Sequence, residues 1–187
     1  KKYSIIGGGG FGLEVAGYIS DINKGTSIRL NLWDDVPINT GECLGLTYQG
    51  TISDIVLQKD EIPLVCIGDC DTRARIGLLL RDKGIELGTF IHPAATMSSQ
   101  AHIASGCIVL PFSCISFSAK LGWNAFINSH VGVGHHAVIG EHCVISPQSL
   151  IAGYSKIGNK VFMGPSAVVT PGKSVGDNSK IYSQVFL

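Results

Sequence analysis

The sequence carries no surplus of charge of either sign. Its 187 residues include 14 lysines and arginines against 14 aspartates and glutamates, so the formal net charge is zero. A protein that attracts nucleic acid or an anionic membrane through its overall field needs a basic cluster or a large positive charge. The sequence has neither, so we expect small molecules and further copies of the chain as partners, and neither nucleic acid nor a membrane.

Long apolar runs are also missing. The opening segment, KKYSIIGGGG, contains an apolar stretch that is too short for a signal peptide or a membrane-spanning helix. The overall apolar share of 45% is nevertheless typical of a folded globular protein. We therefore expect a cytoplasmic protein.

No two cysteines form a CxxC pair, and no cysteine spacing resembles that of a zinc ribbon. Apolar and β-branched residues surround the cysteines, which favours buried, reduced thiols. The six residues concerned are Cys43, Cys66, Cys70, Cys107, Cys114 and Cys143.

A repeat of six residues runs through the second half of the chain. An aliphatic side chain recurs at every sixth position from Ile91 to Ile181, and a small residue follows most of these anchors four positions later, with Lys173 as the clear exception. Such a repeat predicts a short strand and a turn, with three repeats forming one triangular coil of 18 residues. Stacked coils lie about 4.8 Å apart, and each inward anchor contributes on the order of 1.5–3 kcal/mol.

The first half of the chain has a different pattern. A buried strand at residues 3–6 leads through a glycine-rich turn into a helix, and further strands are predicted at residues 28–33 and 63–67, with a second helix at residues 72–83. This alternation of strands and helices is typical of a parallel sheet. We therefore predict an α/β nucleotide-binding domain over residues 1–88 and a parallel β-helix over residues 89–187.

The glycine turn matches the dinucleotide-binding pattern GxGxxG at Gly7, Gly9 and Gly12, and Asp34 and Asp35 follow the next strand. A full dinucleotide fold needs two βαβαβ halves, whereas only about 90 residues precede the repeat. One half can bind one nucleotide, with the diphosphate at a helix N-terminus. The alternative is a tight turn that binds nothing.

Four blocks in this order, GGGGFGLEV, LWDD, CIGDCDTRARI and FIHPAATM, resemble those of the bacterial hexapeptide-repeat sugar acyltransferases. That family includes nucleotide-amino-sugar N-acetyltransferases and sialic-acid O-acetyltransferases. The resemblance implies a left-handed β-helix, acetyl-CoA as co-substrate, no metal, and a nucleotide-activated sugar as acceptor. The implied sugar-nucleotide contacts are Gly8, Gly9, Asp34, Asp35, Gly68, Asp69, Arg73 and Asn128. Phe11 departs from the family pattern, which has histidine there, and leaves the acceptor sugar open.

The segment NSHVGVGHHAVIG, residues 128–140, resembles the family block that holds the catalytic histidine, here His135. A neutral imidazole can take the proton of an attacking amine or hydroxyl without any covalent intermediate. The family places an acid directly after this histidine, but His136 stands here, so Glu141 becomes the candidate that orients the ring. The resemblance further implies acetyl-CoA contacts at Gly153, Gly164 and Ser166.

Two other functions remain open at this stage. A carbonic-anhydrase-like enzyme on the same fold would hold zinc between subunits, with His102, His130 and His135 as candidate ligands. A sugar-nucleotide-binding scaffold without catalysis would explain the departures at Phe11 and His136. The motifs fit both N- and O-acetylation, and both acetyl and longer acyl donors. They also fit UDP, GDP or CMP as the carrier of the sugar.

A homotrimer is expected for the enzyme, because a flat-walled prism with outward aromatic side chains has apolar surface to cover. The residues predicted to point outward are Phe117, Trp123 and Phe126.

Overall fold

The computed structural model describes residues 1–37 and 45–187, which form two compact units. One unit comprises residues 1–68 and 75–88, and the other comprises residues 69–74 and 89–187. The short segment 69–74 therefore belongs with the β-helix, whereas the sequence placed it in the first domain. Its contacts, described below, are with residues more than fifty positions further along the chain, which no local pattern reveals.

The first unit is built on a four-stranded parallel sheet in the order β3-β2-β1-β4. Its elements are β1 (Lys2–Ile6), α1 (Gly10–Ile22), β2 (Arg29–Trp33), β3 (Leu46–Gly50), β4 (Glu61–Val65) and α2 (Cys70–Asp82), whose first turn lies in the second unit. The predicted parallel sheet is confirmed. The sequence missed β3, an edge strand that exposes its polar side chains Thr47 and Gln49 and so lacks a strong apolar signal.

Sixteen strands of two residues each follow along the chain. They are β5 (Phe90–Ile91), β6 (Thr96–Met97), β7 (His102–Ile103), β8 (Ile108–Val109), β9 (Cys114–Ile115), β10 (Lys120–Leu121), β11 (Phe126–Ile127), β12 (Gly132–Val133), β13 (Val138–Ile139), β14 (Val144–Ile145), β15 (Leu150–Ile151), β16 (Lys156–Ile157), β17 (Phe162–Met163), β18 (Val168–Val169), β19 (Ser174–Val175) and β20 (Lys180–Ile181). Each strand pairs in parallel with the strand three places further along, as in Ile127 beside Ile145.

These strands form the three walls of a left-handed β-helix with just over five coils. The first wall contains β5, β8, β11, β14, β17 and β20; the second contains β6, β9, β12, β15 and β18; and the third contains β7, β10, β13, β16 and β19. The second residue of every strand is a predicted anchor, and those from Val109 to Val169 are buried in one continuous core. The predicted coil of 18 residues is thus confirmed.

From Gly106 onward, each corner of the β-helix contains one residue in the left-handed backbone region. At twelve corners this residue is not glycine, with His136 at φ 59° as an example, while Gly106 and Gly172 occupy the same position elsewhere. Its backbone N–H donates to a carbonyl of the preceding coil, as from His136 to Phe117 at 3.0 Å. This recurring hydrogen bond compensates for a conformation that costs L-residues about 1–2 kcal/mol.

The three walls differ in the side chains that they turn outward. The third wall is polar, with exposed His102, Lys120 and Lys156. The first wall is apolar and buried from β5 to β14, while Phe162 further along is half-buried and Lys180 at its end is exposed. The second wall is also apolar, with Cys114, Leu150 and Val168, but Cys114 and Leu150 are exposed. The second wall is therefore the apolar face of the described unit that the chain itself leaves uncovered.

Residues 69–74 pack within the β-helix unit through Arg73, whose side chain is fully buried. The Arg73 Nε donates to the carbonyl of Asn124 at 2.6 Å, and the guanidinium lies over the ring of Phe126. Phe126 is consequently buried, so its predicted outward exposure is wrong. Phe117 is exposed as predicted, while Trp123 is half-buried against the ring of His142.

The five cysteines within the described residues are free thiols, and all but one of them are buried as predicted. Burial raises the pKa of Cys107 to about 11 and that of Cys143 to about 12, so both thiols stay protonated near neutral pH. Cys114 is exposed on the second wall, which contradicts the prediction for that residue. Cys43 lies outside the described residues.

Neither helix within residues 1–37 and 45–187 has the length and apolar composition needed to cross a membrane.

Candidate functional site

His135 lies at the corner that joins the second wall to the third, in the turn between β12 and β13. Its ring rests on Gly153, which occupies the equivalent corner one coil further along the chain. A Cβ atom on Gly153 would lie 2.8 Å from both Cε1 and Nε2 of His135, so any larger residue would displace the imidazole. The structure therefore brings together two of the predicted site residues, the base and the small residue beside it.

The immediate partner of His135 is its neighbour His136. The two Nδ1 atoms are 3.2 Å apart, and both side chains are exposed. Glu141 lies at the next corner, where its backbone N–H donates to Asn159 and its carbonyl accepts from Lys160. No hydrogen bond or ion pair joins Glu141 to His135 in the part of the chain that the structure describes. Within one chain, Glu141 therefore does not orient this ring.

Two aromatic residues that the sequence did not assign to the site enclose the histidine pair. Tyr154 stacks on His136, with ring centroids 4.7 Å apart and an angle of 12° between the planes, and it meets the ring of His135 edge-on. Phe117 contacts His136 from the preceding coil. The coil length could have revealed Tyr154, because it follows His136 by 18 residues.

Three predicted residues lie instead at the corners between the first and second walls. Asn128 is buried, and its Oδ1 accepts from the backbone N–H of Ser129. Gly164 provides room for the backbone of the following coil, and Ser166 bonds to Gln148. Within one chain, the second wall separates all three from His135.

In the first unit, Asp34 holds the glycine turn in place. The backbone N–H of Gly8 donates to one carboxylate oxygen of Asp34 at 2.6 Å, and that of Val36 donates to the other at 2.8 Å. Asp35 is exposed, and one of its oxygens accepts from the backbone N–H of Ile52. The predicted residues Gly8, Asp34 and Asp35 are thus close together, although the N–H of the buried Gly8 is already used.

The glycines of the turn fall into two groups. A Cβ on Gly12 would overlap the carbonyl oxygen of Gly7, which itself has φ 101°, so these two residues are required for the close packing of α1 against β1. Gly9 and Gly10 are exposed, and a Cβ on either would meet no protein atom within 4 Å. The open side of the turn is therefore the N-terminus of α1, where a phosphate would be favoured.

Gly68 follows β4 and accommodates Phe11. A Cβ on Gly68 would overlap the Phe11 ring, so this glycine makes room for the aromatic side chain that replaces the family's histidine. The edge of the first unit is consequently more apolar here than the family pattern implies.

The prediction for Arg73 needs correction, whereas that for Asp69 stays a prediction. Arg73 is buried under the contacts with Asn124 and Phe126, which leaves no surface for a ligand, so the predicted sugar-nucleotide contact is wrong. Asp69 is exposed, but its carboxylate accepts from the backbone N–H of Thr72 and caps α2. The Thr72 backbone and side chain hold the pKa of Asp69 below its ordinary value.

Within the described residues of one chain, no three histidine, cysteine, aspartate or glutamate side chains come together. His102 lies on the third wall, and His130 stacks on Phe112 at a corner between the first and second walls. Both are therefore on different faces from His135.

The comparisons with known proteins agree with this architecture. The family model described as bacterial transferase hexapeptide (six repeats) matches residues 118–153. No curated protein matches the chain. Among solved structures, the chain is similar to the acetyltransferase domain of PglB from Neisseria gonorrhoeae FA1090, with 23% identity, a TM-score of 0.90, and coverage of 100% of this chain and 90% of that one.

It is also similar to perosamine N-acetyltransferase from Caulobacter crescentus in complex with CoA and GDP-perosamine, with 26% identity, a TM-score of 0.85, and coverage of 100% of this chain and 88% of that one. WeeI from Acinetobacter baumannii AYE is 19% identical, with a TM-score of 0.76 and coverage of 100% of this chain and 96% of that one. The matches to PglB and WeeI, which are below 25% identity, show a similarity of fold alone.

The β-helix, its repeat and these matches indicate a transferase with hexapeptide repeats. The solved structures to which the chain is similar include sugar acetyltransferases, which supports an acyltransferase.

Proposed function

We propose that the chain transfers the acetyl group of acetyl-CoA to an amino or hydroxyl group of a nucleotide-linked sugar used in bacterial surface polysaccharides or glycans. The observation that carries this proposal is the exposed imidazole of His135 resting on Gly153 at a corner of the β-helix. The Caulobacter enzyme, bound to CoA and GDP-perosamine, supports the choice of substrates. Because acetyl-CoA is a cytoplasmic metabolite, the reaction is assigned to the cytoplasm.

His135 acts as general base in this mechanism. Its neutral ring takes the proton of the sugar nitrogen or oxygen as that atom attacks the thioester carbonyl. The tetrahedral intermediate then expels the CoA sulfur, which receives a proton, so that the products are the acetylated sugar nucleotide and free CoA. Direct transfer needs no nucleophile from the protein.

Acetyl-CoA would lie along the corner that contains Gly153. Because this residue has no side chain, the pantetheine can approach the face of the β-helix beside His135. Ser166, half-buried at a different corner, offers a hydroxyl, and Gly164 lies in the same turn. Gly164 and Ser166 can contact the same acetyl-CoA as Gly153 only if the acetyl-CoA extends between neighbouring chains.

The nucleotide of the acceptor would bind to the first unit. Gly9 and the exposed N-terminus of α1 suit the diphosphate, and the exposed Asp35 suits a ribose hydroxyl. Asp34 contributes by fixing the turn. Phe11 against Gly68 offers an apolar surface to the ligand in place of an imidazole.

The proposal is tested by incubating the purified protein with labelled acetyl-CoA and a panel of UDP-, GDP- and CMP-linked amino and hydroxy sugars. At least one acceptor should gain one acetyl group for each CoA released. A chelator should leave the rate unchanged. Absence of transfer to every acceptor would favour the scaffold, whereas loss of activity on removal of stoichiometric zinc would favour the metal enzyme.

We also propose that the enzyme is a homotrimer in which the second wall is covered. Light scattering should give a mass close to three times 19.7 kDa. Leu150→Glu should dissociate the assembly, because it places a charge on the exposed apolar wall. The matched control is Lys156→Glu on the polar third wall, which should remain trimeric. A monomeric wild-type protein at micromolar concentration would contradict this assembly.

A further inference from the structure

His135 has two ring nitrogens, and only one of them can serve as the base. The approach of its Nδ1 to the Nδ1 of His136 at 3.2 Å requires one nitrogen to donate and the other to accept. If His136 donated, the neutral ring of His135 would carry its own proton on Nε2, and neither nitrogen would be free to take another. If His136 accepts, the proton of His135 lies on Nδ1 and Nε2 has its lone pair available.

We propose that His136 is a positioning residue that accepts a hydrogen bond from the Nδ1–H of His135 and thereby keeps the Nε2 of His135 unprotonated. This inference rests on the proposed function of His135 as the base. It assigns to a neutral imidazole the orienting role that the family gives to an acid. When His135 takes up the acceptor's proton, its Nδ1–H becomes a stronger donor to the same nitrogen.

The surroundings of His136 hold its ring in the orientation that this role requires. Tyr154 of the following coil stacks on one side at 4.7 Å, and the Phe117 ring of the preceding coil contacts it at 5.6 Å. The His136 backbone N–H is fixed by the carbonyl of Phe117. The titratable side chains in contact with the His136 ring are those of His135 and Tyr154. No salt bridge involves His136 in the described ranges.

Two substitutions at His136 distinguish the loss of the hydrogen-bond acceptor from the loss of the stacked ring. His136→Asn keeps an acceptor, because the Oδ1 of asparagine occupies nearly the place of Nδ1. His136→Phe keeps a ring for Tyr154 but has no acceptor. Both should fold, since Asn124 and Phe112 occupy the equivalent corner position elsewhere with φ 57° and 63°.

The kinetic test measures kcat and the two KM values for each variant, together with the midpoint of thermal unfolding. His136→Phe should lower kcat by roughly 10- to 100-fold, as removal of an orienting partner does at other sites, with little change in either KM. His136→Asn should recover most of that loss at a similar unfolding midpoint. Equal losses of kcat in both variants, or full activity in His136→Phe, would overturn the proposal.

The position of the proton provides a readout that does not depend on activity. Nitrogen chemical shifts of ¹⁵N-histidine-labelled protein, assigned with His135→Gln, should show His135 protonated on Nδ1 in the wild type and in His136→Asn. His136→Phe should shift the proton toward Nε2. A wild-type His135 protonated on Nε2 would refute the assignment. If the shifts are as expected but His135→Ala keeps its activity, the proposed base is wrong and the assigned hydrogen bond stands.

Discussion

His135→Ala should lower kcat by roughly 10²- to 10⁴-fold, the usual contribution of a general base, with little change in the KM for the nucleotide sugar. We expect kcat to change without the KM for the nucleotide sugar, because the proposed nucleotide site is in residues 1–68 and 75–88, whereas His135 is in the β-helix. Steady-state kinetics with both substrates varied provides the measurement. His136→Ala should cost less, roughly the 10- to 100-fold expected when the hydrogen-bond acceptor at that position is lost.

The matched control for this substitution is His130→Ala. His130 is an exposed corner histidine like His135, but it stacks on Phe112 at a different corner and, unlike His135, has a left-handed backbone. This substitution should leave kcat within about threefold of the wild-type value. Retention of most activity in His135→Ala would refute the mechanism even if acetyl transfer is observed.

Gly9→Leu should raise the KM for the nucleotide sugar by roughly 10- to 100-fold, equivalent to about 1.4–2.8 kcal/mol of binding, and leave the KM for acetyl-CoA nearly unchanged. The Cβ of the new side chain would enter space that no protein atom occupies, where the diphosphate is proposed to lie. The φ of Gly9 is −69°, which any L-residue adopts, so the substitution should not strain the turn.

Gly12→Ala is the contrasting control for Gly9→Leu. Its Cβ would collide with the carbonyl of Gly7, so it should lower the free energy of unfolding by about 1–3 kcal/mol or more. Gly9→Leu should show the wild-type midpoint in chemical denaturation. Equal effects of Gly9→Leu on both KM values, with a lowered midpoint, would show that the glycine has a structural role and does not contact the nucleotide.

The β-helix could be predicted from the sequence because its core depends on a short repeat. Each anchor pairs with the residue 18 positions away, so a regular spacing in the chain becomes a regular stacking in space. The strand, glycine turn and helix of the first unit could also be predicted, because each depends on residues that are close together in the sequence. The residue His135 and its neighbour Gly153 followed from the same period together with the family block.

The remaining features depend on contacts that no period describes. The sequence does not predict the burial of Arg73 and Phe126, because it depends on distant contacts such as the hydrogen bond from Arg73 to Asn124, 51 positions away. The pairing of His135 with His136 depends on side-chain rotation at one corner. The family resemblance implies an acid that orients the base, which predicts Glu141, but Glu141 lies at the next corner.

The left-handed corner residues have a consequence for how this scaffold can diversify. Glycine would relieve the backbone cost of about 1–2 kcal/mol at each corner, but it would add about 0.5–1 kcal/mol of chain entropy to be lost on folding. The two terms nearly cancel, which explains why phenylalanine, serine, asparagine, histidine, glutamine, tyrosine and lysine all occupy this position. Outward side chains at the corners can therefore be exchanged at little cost to stability, and new chemistry can evolve there while the coil beneath stays unchanged.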